Sequence, residues 1–372
     1  MNKKVLIFYI SKLSGHFHAA RAIEKGLFEL DKNIQVEMIN TPEYTNPILG
    51  KIIISAYHEV IKKKPEFWGN IYDNPEVMKK TEKARKTLHK FNMSKMKKLL
   101  DGFSPDIIFC TQAFPCGMVA DYKRVSGKEL MLVGVLTDYA PHSYWLYDEV
   151  DLYITPSEET SEMLAKKGVA AEKIRTYGIP VDPKFTKSQP ADILKKQMGI
   201  SKDHPVVLIM GGNQGLGSIE AAVESILNDD EHFYQLVVIT GSNKKLYTKL
   251  QKIEDKKTSG SLKVLPFVDN IDEIMDIADV IITKPGGMTV AEALVKNLPM
   301  IIMKPIPGHE RMNADYLVMH GAAVEVEDET KLHEKLDDLF DKGKKLNQMR
   351  EQAKKIARPA STLDIARLAF IK

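Results

Sequence analysis

The chain has 372 residues, 44% hydrophobic and 28% charged, with a net charge of +3. It is longer than one usual core supports, so two domains are expected, and its composition is that of a soluble globular protein. The charge excess is too small to argue for nucleic acid, and no stretch reaches the roughly 18 apolar residues that a membrane span needs.

The opening MNKKVLIFYISKLSG combines a basic start with a short apolar run. Without a cleavage-type end, Val5–Ile10 reads as a buried strand and not as a signal peptide. Ser11–Gly15 turns, His16–Leu30 predicts a helix with Ala20, Ile23 and Leu27 on one face, and Ile34–Ile39 is the next strand. This unit leaves Ser14-Gly15-His16 at the carboxyl end of a strand, where open parallel sheets bind ligands. A neutral imidazole at a helix start has a lowered pKa and suits a base. A histidine there can equally do no more than hydrogen-bond the backbone.

Between Lys51 and Leu100 stand 13 Lys/Arg and 5 Asp/Glu, a net of +8, which leaves about −5 for the rest of the chain. The basic residues, among them Lys62, Lys63 and Lys64, alternate with Ile52, Ile53, Ile54, Tyr57, Phe67 and Trp68. A basic helical segment of this kind suits an anionic membrane surface, each lysine contributing about 1 kcal/mol there. The same pattern also fits a solvated helix face with its aromatics in the core.

Asp106–Cys110 is a further strand, and Leu130–Leu136 is an apolar strand that ends in Thr137-Asp138-Tyr139. Asp138 thus lies at a strand's carboxyl end, as a surface carboxylate or as a group that takes or orients a proton. His142 and Trp145 follow and could line an acceptor groove. Cys110 and Cys116 fit neither a zinc pattern nor a redox pair and read as buried free thiols. Asp151–Thr155 and Lys173–Tyr177 complete the first sheet, and the turn-rich Gly178–Pro183 marks the boundary, giving a first domain of residues 1–182.

The second domain, residues 200–358, begins with the strand Val206–Met210 and a loop GGNQGLGS that crowds Gly211, Gly212, Gly215 and Gly217 before a helix from Ser218. Alone, such a loop is a weak signal. Leu236–Thr240, Lys263–Leu265 and Val280–Thr283 are further strands. The last runs into Lys284-Pro285-Gly286-Gly287, a helix from near Met288 to Asn297, the strand Met300–Lys304, and then Gly308-His309-Glu310. Gly286 and Gly287 allow close backbone approach, and the free N–H groups of the following helix favour an anion such as a diphosphate. Glu292, one turn in, could accept two hydrogen bonds from a ribose diol, each worth roughly 1.5–3 kcal/mol. Thr289-Val290-Ala291-Glu292 also fits a capping box, in which Glu292 only closes the helix start. Two polar loops on one rim suggest a nucleotide-sugar site. Lys331–Arg358 reads as a solvated helix, and Ser361–Ile371 as a last helix after Pro359.

KPGGMTVAEAL followed by PGHERMNA resembles the donor-binding half of the family 28 glycosyltransferases, and the likeness to their diacylglycerol glycosyltransferases extends over nearly the whole chain. The resemblance implies two Rossmann-like α/β domains facing a cleft, the GT-B fold, with the helix of residues 359–372 crossing back to the first domain. It implies a UDP-hexose donor, either UDP-glucose or UDP-galactose. Asn213, Gln214 and their neighbours Gly212 and Gly215 would lie near the sugar diphosphate. The backbone at Val268 would meet the uracil. Lys284, Pro285, Gly286, Gly287, Thr289 and Glu292 would form the remainder of the donor site, with Gly308, His309, Glu310 and Asn313 toward the sugar.

In the glycolipid synthases a glycine-rich turn ends in Gly-His, matched by Gly15-His16, although Lys12, Leu13 and Ser14 stand where that motif carries glycine. Thr137-Asp138 matches their Thr-Asp. Some members have an arginine where Asp182 stands, so Lys284 is the candidate base for the diphosphate. The implied acceptor is diacylglycerol or its glycosylated form, met at the cytoplasmic face of an anionic membrane by a peripheral enzyme. Gly15, Lys62, Lys63, Lys64, Trp68 and Trp145 are then the expected acceptor or membrane contacts. The implied reaction is inverting, with His16 or Asp138 as base. No cofactor is expected, and the absence of a DxD-type motif near these loops argues against a divalent metal. Rival readings are a UDP-N-acetylglucosamine 2-epimerase of similar fold, N-acetylglucosaminyl transfer to a polyprenyl-linked sugar, and a catalytically silent sugar-nucleotide sensor.

Overall fold

The computed structural model describes residues 3–47, 75–215, 217–227, 233–255 and 261–371. They divide into two compact units. The first holds Met1–Pro183, Ile306–Met312 and Arg358–Lys372, and the second Lys184–Pro305 and Asn313–Ala357.

The first unit is built on β1 (Lys4–Tyr9), β2 (Gln35–Asn40), β3 (Ile107–Cys110), β4 (Met131–Val135), β5 (Leu152–Ile154) and β6 (Ile174–Arg175). They pair in the order β2-β1-β3-β4-β5-β6, every pair parallel. Helices cover both faces, so the central strands are apolar throughout: all of β3 is buried, and so is β1 beyond its first residue. The edge strand β2 alternates exposure at its start instead. The strand order reverses direction between β1 and β3, which opens a crevice at their carboxyl ends.

The C-terminal helix Ser361–Arg367 belongs to this unit. It packs on helix Gly15–Leu30 at a contact that only glycine permits, since a Cβ at Gly26 would lie 2.7 Å from the Thr362 methyl. Ser361 and Thr362 donate their hydroxyls to the carbonyls of Ile179 (2.9 Å) and Val181 (2.5 Å). The helix is shorter than the sequence suggests and ends in a single 3₁₀ turn, Leu368–Phe370.

The second unit is built on β7 (Val206–Met210), β8 (Gln235–Ile239), β9 (Leu262–Leu265), β10 (Val280–Thr283), β11 (Met300–Met303) and β12 (Ala323–Val326). The order β12-β11-β10-β7-β8-β9 is again all parallel, and its switch point lies between β7 and β10. Sequence reading assigned no strand at β12, a four-residue segment that pairs only along one edge. The stretch Lys331–Arg358 is not one helix but two, Leu332–Phe340 and Lys344–Ile356. Gly343 separates them at φ +60, a conformation other residues rarely take.

Of the basic segment, helix Pro75–Phe103 is described. Lys62, Lys63, Lys64 and Trp68 lie outside the described residues, as do Ile52, Ile53, Ile54, Tyr57 and Phe67. Among the described residues no helix is long and apolar enough to cross a membrane.

Candidate active site

At the switch point of the first sheet stands His16, on the first turn of helix Gly15–Leu30. The turn that delivers it dispenses with the expected glycines. Ser11 itself takes φ +55, and the Ser14 hydroxyl lies within hydrogen-bond reach of the carbonyls of Ile10 (2.5 Å) and Ser11 (2.7 Å). A braced serine therefore does here what backbone freedom does in a glycine turn. Thr111, which follows β3, donates its hydroxyl to the His16 carbonyl at 2.9 Å. Thr137, two residues beyond the end of β4, faces the imidazole, with Oγ1 3.1 Å from Nδ1. Three strand ends thus fix one ring. Burial pushes its pKa below the usual 6.5, and the nearby Asp138 carboxylate offsets only part of that effect. The ring is accordingly neutral near pH 7, and the Asp138 carboxylate favours its protonated form.

His18 points to a different partner. Burial lowers its pKa too, and the opposing charge is Asp182, which also pairs with Lys25. Trp145 is not a surface group. It is 4% exposed and lies against Gly134, and its carbonyl accepts the hydroxyl of the buried Tyr153. The sequence expectation of an acceptor or membrane contact at Trp145 is corrected, because an apolar strand needed a large side chain to cover it.

On the second sheet the loops after β7 and β8 interlock. Gly215 has φ +56, and a Cβ there would stand 2.0 Å from the Thr240 carbonyl oxygen. Gly241 has φ +58, and a Cβ there would stand 2.4 Å from the Asn213 carbonyl oxygen. The N–H of Ser242 donates to Asn213 at 2.9 Å, and Asn243 Nδ2 to Gly215 at 3.3 Å. Glycine is required at both places by close backbone approach as well as by φ. Asn213 and Gln214 remain half-buried on this loop.

Across the switch point, the Lys284 side chain lies over the same loop, 3.7 Å from where a Gly212 Cβ would be. Lys284-Pro285-Gly286 forms a tight turn, with the Gly286 N–H on the Lys284 carbonyl. Helix Gly287–Val295 begins directly after it, capped by no side chain. Thr289 is therefore inside the helix and not its N-cap. The capping-box reading of Glu292 is corrected, since a box needs Thr289 outside the first turn. Glu292 is half-buried, one turn in.

Asn313 and Glu310 were expected toward the sugar, yet both are buried, at 0% and 2% exposure. Asn313 donates to the Pro285 carbonyl at 2.9 Å, and the Glu310 carboxylate accepts the Ile306 N–H at 3.1 Å. Both brace the turns that carry their neighbours. Gly308 takes φ +96 in the second of these turns. Val268 is half-buried on the loop after β9, beside an exposed Phe267. Thr111, Thr240 and Gly241 were not singled out by sequence, and Thr137 only as the neighbour of Asp138. Their positions one or two residues beyond strand ends were the available signal. Among the described residues no cluster of three or more His, Cys, Asp or Glu side chains has a metal-binding arrangement.

Residues 16–181 match the family model of monogalactosyldiacylglycerol (MGDG) synthase, and residues 206–363 that of the glycosyltransferase family 28 C-terminal domain. The chain is 30% identical to the processive diacylglycerol beta-glucosyltransferase of Bacillus subtilis (strain 168) over 95% of its own length and 91% of that protein. Identity to a protein of the same name in Bacillus cereus (strain ATCC 10987 / NRS 248) is 31%, over 96% and 91%. Among solved structures it resembles MurG of Acinetobacter baumannii (TM-score 0.66, 16% identity, 99% of both chains). It also resembles HepE of Anabaena in complex with UDP and glucose (TM-score 0.57, 15% identity, 99% of both chains). The UDP-GlcNAc 2-epimerase of Neisseria meningitidis bound to UDP-GlcNAc is similar too (TM-score 0.63, 13% identity, 99% of both chains). At such identities these structures establish the fold alone, the GT-B arrangement of two Rossmann-like domains.

Proposed function

Because the chain belongs to the family 28 glycosyltransferases, we propose that it transfers a hexose from UDP-glucose or UDP-galactose to diacylglycerol, or to its glycosylated form, at a membrane surface. The observation that carries this reading is the full-length likeness to proteins named as diacylglycerol glucosyltransferases. The two switch points support it, one with a neutral imidazole and the other with glycine loops and a lysine.

In the tautomer whose Nδ1–H donates to Thr137, Nε2 of His16 keeps its lone pair for the acceptor hydroxyl, and the mechanism uses this tautomer. The acceptor oxygen attacks the anomeric carbon, the bond from that carbon to the diphosphate breaks, and the acceptor proton passes to His16. Asp138 then stabilises the imidazolium. The departing UDP is met by the N–H groups that open helix Gly287–Val295, by the amides of the Gly212–Gly215 loop and by Lys284. No divalent cation enters this scheme. Helix Pro75–Phe103 carries nine Lys/Arg against three Asp/Glu and exposes Phe91, a composition suited to an anionic bilayer. The epimerase shares the fold at 13% identity, whereas residues 16–181 of this chain match a glycolipid-synthase family model, which favours the transferase reading.

The test is incubation with UDP-glucose or UDP-galactose and vesicles of diacylglycerol and anionic lipid, followed by mass spectrometry of the lipid extract. A hexose added to diacylglycerol, with or without a chelator, is expected. UDP binding without any glycolipid product from either donor would overturn the acceptor assignment, and a strict Mg²⁺ requirement would overturn the metal-free scheme.

A further inference from the structure

Glu329 opens the short turn that follows β12, where Asp328 accepts the Thr330 N–H and fixes the start. The Glu329 side chain is 12% exposed and ion-paired with Lys304, Nζ to Oε1 2.5 Å. The Ser218 hydroxyl donates to the same carboxylate. These two partners come from distant places in the sequence. Lys304 is the first residue after β11 and sits at φ +38, in the left-handed region that side-chain-bearing residues avoid. Such a backbone persists only where surrounding contacts hold it. Ser218 closes the glycine loop, following Gly217 at φ +101, and its carbonyl accepts the Ala222 N–H as the next helix begins.

A carboxylate drawn this far out of water is destabilised unless it is paired. Burial alone would raise its pKa. The bonds from Lys304 and Ser218 outweigh burial and hold the acid below its usual range, so it stays charged. Nothing in the donor chemistry uses this charge directly. Its partners, however, are the end of the glycine loop and the start of the turn after β11.

We propose that Glu329 is a positioning residue of the donor site, joining Lys304 and Ser218 so that the loops after β7 and β11 keep the spacing that receives the nucleotide sugar. This rests on the reading of those loops as the UDP-sugar site. The carboxylate touches no substrate and acts through the two loop ends.

The test is UDP binding by calorimetry, with KM for UDP-glucose, KM for acceptor, kcat and Tm, on the full chain. The proteins are wild type, Glu329→Gln, the reversed pair Lys304→Glu with Glu329→Lys, and Asp338→Asn as control. Asp338 is exposed and pairs with Lys345, which makes it a purely structural ion pair in the same unit. Glu329→Gln is expected to weaken UDP binding and raise donor KM about tenfold, with acceptor KM unchanged and a Tm no lower than that of Asp338→Asn. The reversed pair should return UDP affinity to within about threefold of wild type. Unchanged UDP affinity in Glu329→Gln would overturn the proposal, as would a reversed pair that recovers Tm without recovering affinity. If Glu329→Gln does not fold, the reversed pair alone decides by the same threefold bound. A wild type that binds no UDP would instead overturn the donor-site reading, and this inference with it.

Discussion

The two sheets carry their sites at the same topological place and build them from different materials. The switch point of the first sheet is a site of side chains: His16, Thr137 and Asp138, delivered by a turn that uses a braced serine in place of glycine. The switch point of the second is a site of backbone: Gly212, Gly215 and Gly241 interlocked at van der Waals limits, and an uncapped helix start. On the proposed function, the difference follows from the chemistry asked of each. Moving a proton requires a group whose pKa is set by its surroundings, which only a side chain provides. Holding a diphosphate requires many N–H groups at close range, and Cβ atoms obstruct that.

The comparison breaks most sharply at His16. His16→Ala should lower kcat by roughly 10²–10⁴-fold while leaving UDP affinity unchanged, read by turnover and calorimetry on one preparation. Equal turnover would move the base to Asp138. On the backbone side, Gly215→Ala brings a Cβ against the Thr240 carbonyl at a φ that alanine resists. A loss of roughly 1–3 kcal/mol is expected, together with weaker UDP binding and an unchanged vesicle affinity. A variant that binds UDP normally would show that the interlocked loops are scaffolding only.

Glu292→Ala offers a smaller effect that sharpens the same line. Since the helix starts at Gly287 and not beyond Thr289, the variant should lose about tenfold in UDP affinity, with little change in Tm. Unchanged affinity with a lowered Tm would return Glu292 to a structural part.

The smallest expected effect is in pH. His16 must be neutral to accept a proton, and its pKa lies below 6.5, so the acid limb of kcat/KM should have its midpoint below pH 6.5. Asp138→Asn removes a charge that raises this pKa and should shift the limb lower still. The same sign governs stability. A histidine whose folded pKa is depressed contributes stability that is present above its unfolded pKa of about 6.5 and is lost as pH falls through the folded value. An acid limb above pH 6.5, unmoved by Asp138→Asn, would separate His16 from the rate.

By itself the sequence determined the elements with strong local signatures. Apolar runs such as Val206–Met210 and Val280–Thr283 could only be buried strands, and glycine clusters after them could only be loops at strand ends. The placement of His16, Asp138 and the PGG turn at strand ends was legible for the same reason: strand, turn and helix start are neighbours along the chain. What failed were assignments that depend on what lies across space. Trp145 reads as an acceptor or membrane contact but is buried, because tertiary packing, and not residue type, decides which side chain covers a strand. Thr289 reads as a helix cap until the fold shows that the helix already began at Gly287. The pairing of Glu329 with Lys304 and Ser218 spans three loops whose adjacency exists only once β7, β11 and β12 have taken their places in one sheet. Short-range pattern fixes what an element is, whereas long-range contact, which no local window contains, fixes what each of its side chains does.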